Sequence, residues 1–182
     1  GSLTVNSGAT QKFTIAADSG YIYVAGKQAT GAGCTTGSYC WRMEKRDKTT
    51  GALVTAFDTD GVAQSDPTNG SDYAYAIAVD SGYIYVAGSQ ATGAGCATGT
   101  DCWRIEKRRL DTGALETAFD GDGIISNGTG LRAYGIAMDS THMYVGGEVT
   151  AGATRDWRIE KRRLDTGALD TTFGSSGVVT SA

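Results

Sequence analysis

The chain has 182 residues with a net charge of −4; 40% are hydrophobic, 27 are glycine and one is proline. The acidic balance argues against a nucleic-acid partner, because proteins that bind phosphates carry a basic surface. No apolar run approaches the roughly 20 residues of a membrane helix, so no membrane span is expected. Many glycines with tyrosine, valine, isoleucine and threonine between them are typical of short strands joined by tight turns, which predicts an all-β protein.

The chain repeats itself. The thirteen-residue sequence WRIEKRRLDTGAL is present without change at 103–115 and 157–169, and a looser copy spans 41–53. A second tract, YIYVAG, occurs at 21–26 and 83–88, and returns as HMYVGG at 142–147. Copies this close indicate three tandem units of one design.

The middle unit gives the elements in chain order. Residues 73–79 alternate large side chains with alanine, the period of two that is typical of a strand. An Asp-Ser-Gly turn leads into a second strand at 83–88, which predicts a tight hairpin. A third strand is predicted at 103–110. A fourth is predicted at about 114–119, with 123–126 extending it or lying beside it.

Three four-stranded units side by side predict β-propeller-like blades. The predicted division is a tail strand of a preceding blade at 1–12, then blade-like repeats at 13–66, 67–127 and 128–182. A β-sandwich or a β-solenoid is the alternative, although solenoid coils are usually shorter and a sandwich does not need three near-identical units. Propellers usually close with about four to eight blades, so three blades are expected to be incomplete as a closed ring.

Residues 164–179, LDTGALDTTFGSSGVV, resemble the core of the delta-60 repeat, G-x-L-D-x-x-F-G-x-x-G. The aspartate-glycine turn and apolar strand at 80–88 are similar to its other half. This bacterial repeat is propeller-like, and the resemblance, which covers nearly the whole chain, implies that fold and supplies no catalytic residue. The first two units depart from it, because they have FDTDG and FDGDG where the pattern has FG, and carry cysteines that the pattern does not require.

The final strand of the unit occurs once more than the other strands. Residues 3–6 align with 62–65, 124–127 and 178–181. Either the chain is cut from a longer array, or its terminal strands complete a neighbouring molecule, since unpaired strand edges are templates for pairing and a contact that does not close gives a filament. The residues predicted to carry self-association are Leu3, Val5, Val178 and Val179.

Two units carry a cysteine pair just before their tryptophan: Cys34 and Cys40, then Cys96 and Cys102. The third unit lacks both cysteines and has a shorter loop, which favours a disulfide within each longer loop. A metal site is the alternative, but two cysteines without histidine make a poor zinc ligand set. Disulfides imply an oxidising compartment, so an extracellular or cell-surface location is expected.

Two acidic turns resemble the start of a calcium loop, in which alternate carboxylates point at one cation. Their residues are Asp58, Asp60, Asp120 and Asp122. The further oxygen ligands of such a loop are missing, and aspartate with glycine also forms ordinary turns. Calcium is the only cofactor that the sequence suggests.

The charged positions of the third strand, Arg104, Glu106 and Arg108, should alternate along one face. They predict either cross-strand ion pairs between blades or a patch for anions or polysaccharides. The repeated tryptophans at 41, 103 and 157 predict packing in the core or between blades, or stacking on sugars.

Asn69 and Asn127 each begin a glycosylation sequon, although Asn-Gly is also a favoured turn. His142, the only histidine, aligns with glycines in the other units and is expected at a surface turn.

The sequence contains no recognisable catalytic constellation, so an enzyme is not expected. The predicted function is that of an extracellular structural or adhesive repeat protein that self-associates through open blade edges, as a closed oligomer or as a filament subunit. The alternative is a propeller module that binds carbohydrate or protein, with glycans as partners.

Overall fold

A computed structural model of the chain describes residues 13–29, 33–68, 70–91, 96, 101–128, 130–151 and 154–181. Within these ranges the protein is all-β, with twelve strands in three four-stranded antiparallel sheets. We call the sheets blades 1, 2 and 3. Blade 1 contains β1 (Phe13–Ala17), β2 (Tyr21–Gln28), β3 (Cys40–Asp47) and β4 (Val62–Ser65). Blade 2 contains β5 (Tyr73–Val79), β6 (Tyr83–Gln90), β7 (Cys102–Arg109) and β8 (Ile124–Asn127). Blade 3 contains β9 (Gly130–Met138), β10 (His142–Ala151), β11 (Thr154–Arg163) and β12 (Val178–Ser181).

Each blade is a meander whose strands lie side by side in chain order. The register of the third strand on the fourth is the same in all three blades: Trp41 lies opposite Ser65, Trp103 opposite Asn127 and Trp157 opposite Ser181. Equivalent sequence positions therefore occupy equivalent places, and the blades can be compared residue by residue.

The predicted hairpin between the first two strands of the unit is confirmed. Asp80 closes its turn through Oδ1, which accepts hydrogen bonds from the amides of Gly82 and Tyr83 at 2.8 and 2.7 Å. Its Oδ2 accepts the hydroxyl of Tyr85 at 3.0 Å, which joins the turn to the next strand. Asp18 and Asp139 make the same contacts in blades 1 and 3.

The prediction of a fourth strand at 114–119 is wrong. Leu115 makes only an isolated bridge to Arg108, and the fourth strand is Ile124–Asn127. Between them the chain coils through turns, in which the amide of Phe119 donates to the carbonyl of Glu116 and that of Gly123 to the carbonyl of Phe119, at 2.9 and 2.7 Å. This coil places the ring of Phe119 in the core instead of extending the sheet.

The hydrophobic core lies between the blades. One cluster joins blade 1 to blade 2 and a second joins blade 2 to blade 3. Strand contacts likewise connect neighbouring blades, and the described residues do not close into a ring. None of the described segments is a helix that could span a membrane.

Candidate interaction faces

Each blade has two faces with different roles. We call the face that points toward the following blade the front face, and the face that points toward the preceding blade the back face. The same names are used for the equivalent faces of the end blades. Between blades 1 and 2 the front face contributes Tyr23, Ala25, Trp41, Met43, Phe57 and Ala63, and the back face contributes Ala74, Ile77, Ile84 and Val86. The contact between blades 2 and 3 uses most of the same positions of the repeat.

The repeated tryptophans anchor this contact. Trp41 and Trp103 are 0% exposed, and each indole Nε1 donates a hydrogen bond to a carbonyl of the following blade, that of Ser89 at 3.1 Å and that of Glu148 at 3.0 Å. The prediction of inter-blade packing is therefore confirmed for these two. Trp157 occupies the same place in blade 3 but is 76% exposed.

The front face of blade 3 is open. Besides Trp157, the aliphatic side chains of Ile159 and Val179 are exposed on it, at positions equivalent to the buried Ile105 and Ile125 of blade 2. A groove of about 510 Å³ follows this face, lined by Tyr134, Gly146, Glu148, Arg155, Trp157 and Arg158 among others. Val178 and Val179, predicted to take part in self-association, lie in the outer strand of this blade.

The back face of blade 1 is open as well. Ile15 is 55% exposed, whereas Ile77, its equivalent in blade 2, is buried against blade 1. Phe13 at the end of the same strand is 62% exposed. The two blades at the ends of the described array thus present opposite halves of the contact that joins the blades internally.

A buried charge triad lies on the back face of blade 2. Glu106 accepts hydrogen bonds from Nε of Arg104 at 2.7 Å and from Nε of Arg108 at 2.8 Å. These pairs lie along one strand, so the prediction of cross-strand pairs is wrong: side chains two positions apart on a strand share a face, and both guanidinium groups reach the same carboxylate. Burial raises the pKa of Glu106, but the charges of Arg108 and Arg104 outweigh burial and hold that pKa at about 2.

The triad also receives a hydrogen bond from the preceding blade. The hydroxyl of Ser65, at the end of β4, donates to Oε1 of Glu106 at 2.6 Å. In blade 3 the amide nitrogen of Asn127 donates to Oε1 of Glu160 in the same way, at 2.6 Å. The fourth strand of one blade therefore completes the charge triad of the next blade.

Blade 1 has the same triad. Glu44 pairs with Arg42 and Arg46, each at 2.7 Å, and is buried. Among the described residues, no fourth-strand side chain donates to Glu44.

In blades 2 and 3, a turn receives an aromatic ring from the blade before it. A Cβ atom at Gly113 would lie 3.1 Å from the ring of Phe57, and one at Gly167 would lie 3.1 Å from the ring of Phe119. These close contacts leave little room for a side chain. Both glycines also have a positive φ, 75° and 77°, which is a second reason for glycine at these positions. Gly51, at the same position in blade 1, has a φ of 74°.

A repeated lysine of the third strand has different partners in blades 1 and 2 than in blade 3. Lys45 and Lys107 each donate to a carbonyl of the next blade, at 2.8 and 2.7 Å, and burial lowers their pKa. Lys161 instead pairs with Asp170 at 2.7 Å, and this hydrogen bond raises its pKa. His142 begins β10 and lies 3.4 Å from the same carboxylate.

The structure pairs Cys34 with Cys40 and Cys96 with Cys102, as the sequence predicts. Sequence reasoning missed the glutamine that supports each bridge. Gln90 donates from Nε2 to Sγ of Cys96 at 3.1 Å and accepts from Arg104 at 2.9 Å, and Gln28 makes the equivalent contacts in blade 1. Blade 3 has valine at this position, so the glutamine is present only with the cysteines, a pattern that the sequence could have revealed.

In each acidic turn the second carboxylate accepts a backbone amide two residues further along the chain. Asp60 accepts the amide of Val62 and Asp122 that of Ile124, both at 2.8 Å, while Asp58 and Asp120 adopt positive φ angles of 49° and 51°. In the part of the chain that the structure describes, no group of three or more acidic, histidine or cysteine side chains is arranged to hold a metal.

Of the remaining predicted glycosylation and self-association residues, only some lie in the described part of the chain. Asn127 donates from Nδ2 to Oε1 of Glu160 at 2.6 Å, in the contact between blades 2 and 3, and its glycosylation stays a prediction. Asn69, Leu3 and Val5 lie outside the described residues.

The described residues form an all-β array of propeller-like blades, and the outward face of each end blade of that array exposes apolar side chains. No protein-family model matches the chain, and no curated protein matches it.

Proposed function

We propose that this chain is an extracellular structural repeat protein whose subunits associate through their open terminal blades, as a closed oligomer or as a filament. One observation carries the proposal: Trp157, in a segment identical to that of the buried Trp103, is 76% exposed. An exposed apolar patch on a folded protein is typical of an interaction site. Here the patch is the surface that the other two blades bury against a neighbour.

The location rests on the cysteines. Both pairs form disulfides, and the described residues include no free cysteine. Disulfides persist in oxidising compartments, which favours the cell exterior. Short bridges in the glycine-rich loops would also stabilise a protein exposed to that environment.

The test is the mass of the chain in solution by light scattering, with electron images of the same sample under non-reducing conditions. A uniform dimer would support a ring of two three-bladed halves, and long fibres would support a filament. A monomer of 18.8 kDa at every concentration up to the millimolar range would refute the proposal.

The groove beside Trp157 also favours a second candidate, a module that binds carbohydrate. It combines an exposed indole and Tyr134 with the polar side chains of Glu148 and Arg155, a combination that suits sugar stacking and hydrogen bonding. Glycan-array binding by the monomer that is lost in Trp157→Ala would support this candidate, and an array without binding would exclude it.

A further inference from the structure

We infer that a second copy of this chain places the back face of its blade 1 on the front face of blade 3, in the register that joins the blades internally. The inference rests on the proposed self-association and adds its geometry. Such a contact is heterologous, since each copy contributes a different face. It also differs from strand pairing at the sheet edges, because the faces pack against each other.

The tryptophan defines the first contact of this interface. Trp41 and Trp103 donate to the carbonyls of Ser89 and Glu148, which are equivalent positions of β6 and β10. The equivalent position in β2 is Lys27. Trp157 of one copy would therefore donate to the Lys27 carbonyl of the next, and its ring would be covered there as in the other two blades.

The charge triad of blade 1 supplies the second contact. Ser65 and Asn127 donate to the glutamates of blades 2 and 3, and the equivalent residue at the end of β12 is Ser181, which is exposed. Ser181 of one copy would donate to Glu44 of the next. This bond would give Glu44 the fourth-strand donor that Glu106 and Glu160 already have.

The aromatic turn supplies the third contact. Phe57 and Phe119 rest on Gly113 and Gly167, and the amide next to each ring donates to the neighbouring turn: Asp58 to the Thr112 carbonyl at 2.9 Å, and Asp120 to the Thr166 carbonyl at 3.0 Å. Phe173 is the equivalent ring of blade 3. It would rest on Gly51 of the next copy, whose backbone already has the φ angle that the site requires.

Two variants, each of which introduces one charge, test the two faces separately. Trp157→Glu places a carboxylate on the front face of blade 3, and Ile15→Glu places one on the back face of blade 1. Both side chains are more than half exposed in the described chain, so folding should be retained, as circular dichroism would verify. Ser81→Glu, at an exposed turn away from both faces, is the matched control.

Each face variant alone should be a monomer, whereas an equal mixture of the two should form a dimer of twice 18.8 kDa and nothing larger. The mixture pairs one intact front face with one intact back face and leaves the blocked faces at its ends. The control variant should associate like the unmodified chain.

The outcomes separate the inference from the proposed function. If the unmodified chain is a monomer, both fail. If it associates but either face variant still associates alone, or the mixture stays monomeric, self-association stands and the inferred geometry is overturned. Deletion of residues 1–12 should leave association intact; loss of association in this variant would show that the tail is required for it and would also overturn the inference.

Discussion

The identical segments at 103–115 and 157–169 provide a matched pair of substitutions. Trp103→Ala removes a fully buried indole and leaves the Glu148 carbonyl without its donor. The expected loss of unfolding free energy is about 3–5 kcal/mol, the usual cost of removing a buried large aromatic side chain. For a chain of this size that loss corresponds to a fall in Tm of roughly 6–20 °C.

Trp157→Ala makes the same chemical change in the same local sequence, but on an open face. Its expected effect on the monomer is within about 0.5 kcal/mol, the range of surface substitutions. Thermal and urea unfolding should be followed in samples dilute enough to be monomeric, because association would add stability by mass action. If the two substitutions lowered the free energy of unfolding equally, the burial of Trp103 between blades would not be the source of its contribution to stability.

Three further predictions concern single features. Glu106→Gln removes the charge between two buried arginines and should cost about 3–5 kcal/mol in urea unfolding; a loss below about 1 kcal/mol would contradict the buried triad. Changing Cys34 and Cys40 to serine should lower the free energy of unfolding by about 2 kcal/mol, because the closed loop is short. An unchanged free energy of unfolding would contradict a stabilising disulfide. Burial raises the pKa of Asp72 to about 6 from its ordinary 3.8, against hydrogen bonds from Ala91 and Thr68. The folded state therefore binds more protons than the unfolded state in this window, so the contribution of Asp72 to stability falls as pH rises from about 4 to 6. Asp72→Asn should remove this decline of the unfolding free energy with pH. Identical pH profiles of stability for the variant and the unmodified chain would exclude a raised pKa of Asp72 as its cause.

Local patterns in the sequence were sufficient for much of the fold. The alternation at 73–79 and the Asp-Ser-Gly turn identify the first hairpin, because strand periodicity and turn chemistry depend on neighbouring residues only. The cysteine pairs were equally accessible, since the partners of each pair are 6 residues apart in the sequence. The fourth strand was misassigned because 114–119 has the composition of a strand, while its turns depend on packing the ring of Phe119 into the next blade.

The interaction faces could not be read from any one copy of the repeat. The charged side chains of β7 were expected to pair across strands, and only their arrangement around Glu106, with Ser65 from another blade, revealed a buried triad. Gln90 accompanies the cysteines in the sequence, but its contacts with a cysteine sulfur and an arginine are visible only in the folded sheet.

The sequence by itself determined that this protein is built from three copies of one four-stranded unit, because the repeats are near-identical and their periodicity is local. Only the tertiary structure decided which copy is covered and which is open. Trp103 and Trp157 have the same thirteen-residue sequence around them, yet one is buried and the other is 76% exposed. Burial is a relation between a residue and whatever packs against it, and that neighbour is absent from the local sequence.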